Sequence, residues 1–465
     1  MPLPRLAWNA YLAFHVRGQA RVPFWSLEAI AQRQSRRVRA MVAHAYRTVP
    51  YYRTAMDRLG LRSADFQSAE DLSKLPIVER AELRSDPLAF VSTAYRVADC
   101  LKLRTGGSTG VPCTIYHNPA ALFQNAAHGE RERSMVTALI GRSFGYSETV
   151  IGSPTTTDRV VQEFCQARAY FPEPLRIKRQ YLSLIDPPEK NLALINAFRP
   201  DVVRSYGSYL EILFPYIQAT GGPFHTPKCV TYSSDGLSSS VRRLIADTWG
   251  LPVLSTYEAV EAFKIGFECR QGAGVHLNAD LYPVRIVDAQ GAPLPDGRSG
   301  DVVVSNLVNR ATVLLNYRLG DIARKLPNPC SCGRRLPMLS FPEGRDDEYL
   351  HLPGGRVMHP QSVRTVLVEE DEVWQFQVVQ DAPASLRIAL VAAPSCDRQR
   401  MRARVGEQLA RLLGPETAIE IAFVPSIDRA ATGGKFRTVV SLSRTAGQGR
   451  GGGGRSAPMR PRDAG

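Results

Sequence analysis

No apolar run in the 465 residues approaches the roughly 20 needed to cross a bilayer as a helix, so a transmembrane segment is excluded. The opening stretch also lacks the apolar core of a signal peptide, because Arg5, Arg17 and Arg21 interrupt its short hydrophobic pieces. Cysteine is sparse, eight residues scattered along a long chain, which argues against a disulfide framework and for a cytoplasmic protein. Acidic residues are nearly missing from both ends. Residues 1–60 set ten arginines against Glu28 and Asp57, and residues 444–465 set five against Asp463, so these ends carry +8 and +4 of a formal net charge of +14. The body between them is close to neutral, and no specific nucleic-acid partner is implied. Contact of the ends with an acidic surface stays open; a solvated helix face and a loose tail account for the same charge.

What is present is ordinary for a globular chain: 44% hydrophobic and 22% charged residues, in a length that predicts more than one domain. The most informative stretch is Leu103-Arg104-Thr105-Gly106-Gly107-Ser108-Thr109-Gly110-Val111-Pro112-Cys113-Thr114-Ile115. Glycines and hydroxyl residues between β-branched flanks predict a strand, a tight loop and a second strand. Converging backbone N–H groups and the Thr105, Ser108 and Thr109 hydroxyls suit a phosphate. A kinase-type P-loop is excluded, since no Gly-Lys-Ser/Thr leads into a helix. By composition alone the stretch reads equally as a surface hairpin.

Residues 25–47 show helical periodicity through Leu27, Ile30, Val38, Met41, Val42 and Ala45, with a cationic polar face. From about 120 to 340, short apolar strands at 150–152, 202–205, 230–233 and 253–256 are spaced for crossover helices, which predicts an α/β domain with mixed sheets. Ligands collect beyond the carboxyl ends of such strands, where Ser233-Ser234-Asp235-Gly236 and Ser255-Thr256-Tyr257-Glu258 are expected. Tyr206, Ser208 and Tyr232 are pocket candidates on the same segments. Cys330-Ser331-Cys332 and the pair Cys269 and His276 together make a Cys₃His set suited to a closed, structural zinc site. Strands near 374–379, 386–391 and 418–424, with a helix at about 397–413, predict a small α+β domain.

Thr105-Gly106-Gly107-Ser108-Thr109-Gly110-x-Pro112 resembles the phosphate loop of the adenylate-forming enzymes, the acyl-CoA synthetase and luciferase superfamily. It is most similar to the phenylacetate-CoA ligase and capsule-biosynthesis (CapK-like) branch, as are His44 to Arg53 and Asp71 to Pro76. Three later stretches agree in order. Tyr257-Glu258-Ala259-Val260-Glu261 resembles the family's Tyr-Gly-x-x-Glu, whose aromatic borders adenine and whose glutamate, here Glu261, helps hold Mg²⁺. Tyr317-Arg318-Leu319-Gly320-Asp321 resembles Tyr-Arg-x-x-Asp, whose aspartate accepts from the ribose hydroxyls. Gly433-Gly434-Lys435 resembles the loop whose lysine stabilises charge during adenylation. Glu258 replaces the family glycine, and Val111 stands where lysine is common.

The resemblance implies a large nucleotide- and acyl-binding domain over residues 1–344 and a small mobile α+β lid over 345–443. Residues 444–465, glycine-rich and basic, are expected to be a disordered tail. Arg345 would reach the nucleotide, Asp347 would lie at the hinge, and Ser234 and Asp235 would line the nucleotide site. Some members of the branch carry a structural zinc between the segments that hold Cys269, His276, Cys330 and Cys332. The implied activity is ATP-dependent conversion of a small carboxylic acid to an acyl-adenylate, with Glu261 and Lys435 catalytic, followed by transfer to coenzyme A. Transfer to an amine, alcohol or carrier protein in polysaccharide or secondary-metabolite biosynthesis stays open, as do a non-catalytic nucleotide-binding relative and a homodimer.

Overall fold

The computed structural model describes residues 3–105, 113–152, 157–173, 176–183, 186, 188–234, 236–327, 329–341, 350–353, 357–358, 363, 366–367, 370, 372–427 and 439–441. Helices α1 (Leu3–Val16), α2 (Leu27–Thr48), α3 (Pro50–Arg58) and α4 (Arg80–Ser85) precede the first strands. Ser26 starts α2 because its hydroxyl oxygen accepts from the Ala29 N–H at 3.2 Å, satisfying one of the end's orphan donors. Its apolar stripe then buries Val38, Met41, Val42 and Ala45 in the largest core. The cationic face departs from expectation. Arg33 lies 3.2 Å from Asp280, a fully buried carboxylate that Arg131 grips with both terminal nitrogens, so part of that face turns inward.

Strands β1 (Leu101–Arg104) and β2 (Thr114–His117) pair antiparallel, Arg104 opposite Thr114, so the glycine-rich stretch connects a hairpin as expected. Tyr116 fastens this hairpin to the body. Its N–H donates to the Thr312 hydroxyl at 2.9 Å, and its carbonyl accepts from the Thr312 N–H and the Asn309 amide.

The remaining strands of the large region are β3 (Ser147–Gly152), β4 (Lys178–Ser183), β5 (Val202–Tyr206), β6 (Cys229–Ser233), β7 (Val253–Ala259), β8 (Phe263–Glu268), β9 (Val275–Leu277), β10 (Val284–Val287), β11 (Ser299–Val304), β12 (Tyr317–Leu326) and β13 (Met338–Leu339). They form one sheet in the order β10-β11-β12-β13-β9-β8-β7-β6-β5-β3-β4. From β4 to β7 neighbours are parallel, and from β7 to β10 they are antiparallel. After α5 (Pro119–His128) and α6 (Glu130–Ile140), the parallel part needs crossovers, and α7 (Thr157–Arg168), α8 (Pro188–Phe198), α9 (Gly207–Thr220) and α10 (Ser239–Trp249) supply them. One face packs Val203, Val230 and Val253 against Leu210, Leu213, Phe214 and Ile245. The other packs Val202, Cys229 and Leu254 against Met135 and Val136. Alternation along the strands divides these residues between the two faces.

A separate core joins Val378, Ile388 and Leu390 to Met401, Val405, Leu409 and Leu413. Its strands 418–423, 385–392, 373–382 and 439–441 lie in that spatial order, with helix Arg398–Leu413 crossing between the parallel pair 385–392 and 418–423. This is the α+β arrangement expected of the C-terminal part.

Candidate active site

Where β7 ends decides much of the site. Tyr257 and Glu258 were expected beyond the strand's carboxyl end, but β7 runs on to Ala259, pairing antiparallel with β8 across a bulge between those two residues. A bulge re-aims side chains. Glu261 stands in the turn joining β7 to β8, 5% exposed. The amide nitrogen of Asn306 holds this turn by donating to the Glu261 carbonyl at 2.8 Å.

Two segments far apart in the chain converge on the Glu261 carboxylate. The Tyr317 hydroxyl donates to it at 3.2 Å, and the Arg80 guanidinium lies 3.8 Å from the same oxygen. Arg80 also donates to the Thr105 hydroxyl at 3.1 Å, at the foot of the glycine-rich loop. Thr105 is fixed in turn: its hydroxyl accepts from the Cys113 N–H at 2.9 Å, and its N–H donates to the Cys113 carbonyl at 3.0 Å. Arg80 reaches this position because Val78 is stitched to the start of β12. The Val78 N–H donates to the Asn316 carbonyl, and the Val78 carbonyl accepts from the Arg318 N–H. Burial, reinforced by Glu261, raises the Tyr317 phenol well above its ordinary value, so it remains a donor.

On the same strands, the Tyr257 hydroxyl donates to Asp321 at 2.8 Å. Thr105 and Glu261 are thus linked through Arg80, and Tyr257 is linked to Asp321, which lies on the same strand, β12, as Tyr317. Ser234 directly follows β6, exposed, with a left-handed φ of 76°. Of the other expected residues, Gly106, Gly107, Ser108, Thr109, Gly110, Asp235, Arg345, Asp347 and Lys435 lie outside the described residues. Arg80 and Asn306 carry no motif signal in the sequence. Tyr317 was legible only as the first letter of its motif.

Glu258 has a different fate. Its carboxylate accepts from Lys264 at 2.7 Å, and the same ammonium donates to Glu132 of α6 at 2.5 Å. Burial, with Asp158 and Glu132 nearby, pushes Glu258 up to about 7 against the pull of Lys264. Among the pocket candidates, Tyr232 is buried and accepts from Arg242 at 3.1 Å, which makes it packing; the side chain of Ser208 is outside the described residues.

The sulfur-bearing residues do meet. The ligand atoms of Cys269, His276, Cys330 and Cys332 lie within 4.8 Å of one another, with Cys269 and Cys330 sulfurs 3.5 Å apart and the Cys332 sulfur 3.4 Å from Nε2 of His276. Four soft or borderline donors at these separations fit a tetrahedral zinc, whose bonds of about 2.0–2.3 Å place neighbouring ligands somewhat under 4 Å apart. Burial and Arg334 push the His276 ring down to about 4, so it is neutral near pH 7, the form that binds metal.

The chain is similar to known proteins over most of its length. A family model described as the CapK C-terminal domain matches residues 351–442. The chain is 25% identical over 411 residues to a phenylacetate-coenzyme A ligase of Thermus thermophilus, covering 84% of each chain. It is 26% identical over 358 residues to the Pseudomonas putida enzyme of the same name, covering 74% of this chain and 76% of the relative. A crystal structure of a 2-hydroxyisobutyryl-CoA ligase in its postadenylation state, with an acyl-AMP bound, superposes with a TM-score of 0.71 at 18% identity over 89% of both chains, a likeness of fold. The fold is that of solved adenylate-forming CoA ligases, and in sequence the chain is similar to phenylacetate-CoA ligases, with a match to the CapK C-terminal domain.

Proposed function

We propose that the chain is an AMP-forming acid–thiol ligase, which uses ATP to convert a carboxylic acid to an acyl-adenylate, releases pyrophosphate, and passes the acyl group to coenzyme A. The observation that carries this is the double contact of Arg80, which joins the foot of the phosphate loop to the buried carboxylate of Glu261. A carboxylate is a poor acyl donor until AMP becomes its leaving group. Because substrate and nucleotide are both anionic, catalysis is mostly positioning and charge neutralisation.

In this reading Thr105, Gly106, Gly107, Ser108, Thr109 and Gly110 cradle the pyrophosphate end of ATP. Tyr257, Ser234 and Asp235 border the nucleotide, and Asp321 with Arg345 holds the ribose. Glu261 would hold Mg²⁺: among the described residues its carboxylate is engaged by a phenol at 3.2 Å and a guanidinium at 3.8 Å, which leaves lone pairs for a hard cation. Bound there, the ion would offset phosphate charge. Lys435 would steady the α-phosphate as the carboxylate attacks. Residues 345–443 would form a lid pivoting at Asp347, and 444–465 a tail. Cys269, His276, Cys330 and Cys332 would hold a structural zinc that pins the β8–β9 connection to the 330–332 turn.

The acceptor has a second reading: the C-terminal part, which would complete the acceptor site, matches a CapK C-terminal domain, and an amine, an alcohol or a carrier protein would compete there with coenzyme A. Carboxylate-dependent exchange of labelled pyrophosphate into ATP, across aryl, fatty and hydroxy acids, tests the first half-reaction. Trapping the product with each acceptor tests the second. ATP binding without exchange for any acid would leave a non-catalytic nucleotide-binding protein.

A further inference from the structure

Helix α1 is apolar on two opposite faces, and only one of them is buried by the described residues. On the inner side the Trp8 ring stacks on Phe123 of α5 at 4.5 Å, and the Tyr11 hydroxyl accepts from Gln124 at 2.5 Å. Asn9 brackets Tyr170, its amide donating to the Tyr170 carbonyl at 2.6 Å and its oxygen accepting from the Tyr170 N–H at 2.9 Å. Arg5 donates to the Ala167 carbonyl at 3.2 Å. The helix is therefore docked firmly along α5 and the end of α7. On the outer side Leu6, Ala7, Ala10, Ala13 and Phe14 recur at helical spacing and are all exposed. Phe14 is 76% exposed, Leu6 49%, and Tyr170 beside the helix 46%.

Along α1 and the segment that follows it the charge is of one sign. No Lys, Arg, Asp or Glu lies between Arg5 and Arg17, and no acidic residue precedes Glu28. Arg5, Arg17 and Arg21 of this segment are exposed, as is Arg168 at the end of α7. Burial and the neighbouring arginines 37 and 33 lower the His15 ring, so it adds no charge near neutral pH. We propose that this face of α1 lies in the plane of an anionic membrane surface, with Leu6 and Phe14 entering the headgroup boundary, Tyr170 at the interface and the arginines on lipid phosphates. A second copy of the chain fits less well. The stripe is roughly 20 Å long by about 10 Å wide, or some 200 Å², against the roughly 800 Å² per partner of a stable interface. Its arginine rim would also face another of the same sign.

Flotation of the full-length protein with vesicles tests this, comparing phosphatidylcholine alone with a phosphatidylcholine and phosphatidylglycerol mixture. Binding to the anionic vesicles alone, weakened by salt, is expected. The pair L6S/F14S, and separately R17S/R21S, should each weaken it about tenfold. Unchanged circular dichroism and melting temperature would show that both variants fold. Absence of flotation by the wild type overturns the proposal. So does flotation that survives L6S/F14S, which would assign it to other basic segments such as residues 444–465, or a concentration-dependent dimer broken by F14S in a protein that does not float. None of these outcomes depends on the ligase activity.

Discussion

Two carboxylates three residues apart in one β-hairpin, Glu261 and Glu258, stand in neighbouring but unlike surroundings. Around Glu261 the partners are a neutral phenol at 3.2 Å and a guanidinium at 3.8 Å that it shares with a threonine hydroxyl. Around Glu258 an ammonium approaches to 2.7 Å and is itself shared with Glu132 at 2.5 Å. That charge-matched seam continues through Arg204, within 3.2 Å of Glu148 and 3.5 Å of Asp158, and Arg179, 2.7 Å from Glu148. A carboxylate saturated by close cations holds elements together. One held at longer range keeps capacity for a ligand.

Breaking the first region should cost activity above all. E261Q keeps a carbonyl for the Tyr317 hydroxyl but loses the charge, so pyrophosphate exchange should fall about 100-fold or more with little change in melting temperature. R80A should lower exchange about 10- to 100-fold and also lower the melting temperature, since it strips the buried Glu261 of its cation and unties Thr105. R80K, holding only one of the two contacts well, should fall between.

Breaking the second region should reverse the pattern. K264M leaves Glu132 and Glu258 without their shared cation, and a loss of roughly 3–5 kcal/mol in denaturant unfolding is expected, with exchange per folded molecule largely kept. If exchange fell as far as in E261Q with stability unchanged, the seam would be part of the site. The sulfur corner should resemble the seam: C332S, or prolonged chelation, should release about one zinc per chain by elemental analysis and lower the melting temperature by several degrees.

The smallest effect concerns pH. Glu258 titrates near 7 in the folded chain and near 4.5 when unfolded, so the folded state binds the extra proton between those values. Its contribution to stability is complete below about 4.5 and is lost as pH rises through about 7. E258Q should flatten that part of the melting-temperature profile, and an unchanged slope would show that another group sets it.

Much of this was readable beforehand where a local rule governs. The hairpin around the glycine-rich stretch follows from glycine and β-branched spacing, and α2 follows from its apolar period and its serine cap. Tyr52, within the stretch His44 to Arg53, is buried and hydrogen-bonded to both backbone groups of Leu315. Arg80 was not readable, because its place depends on Val78 pairing with residues 316–318, more than two hundred positions away. The inward turn of Arg33 was likewise hidden, since periodicity separates apolar from polar residues but does not reveal a buried Asp280 on the far side of the polar face.

The order and spacing of glycines, carboxylates, cysteines and apolar residues were enough to specify the α/β plan and to point to the adenylate-forming ligases that the chain resembles. Tertiary structure alone decided which carboxylate stays available and which is neutralised. Local backbone preference acts over a few residues, whereas the state of a charge depends on whichever groups the folded chain brings within a few ångströms of it.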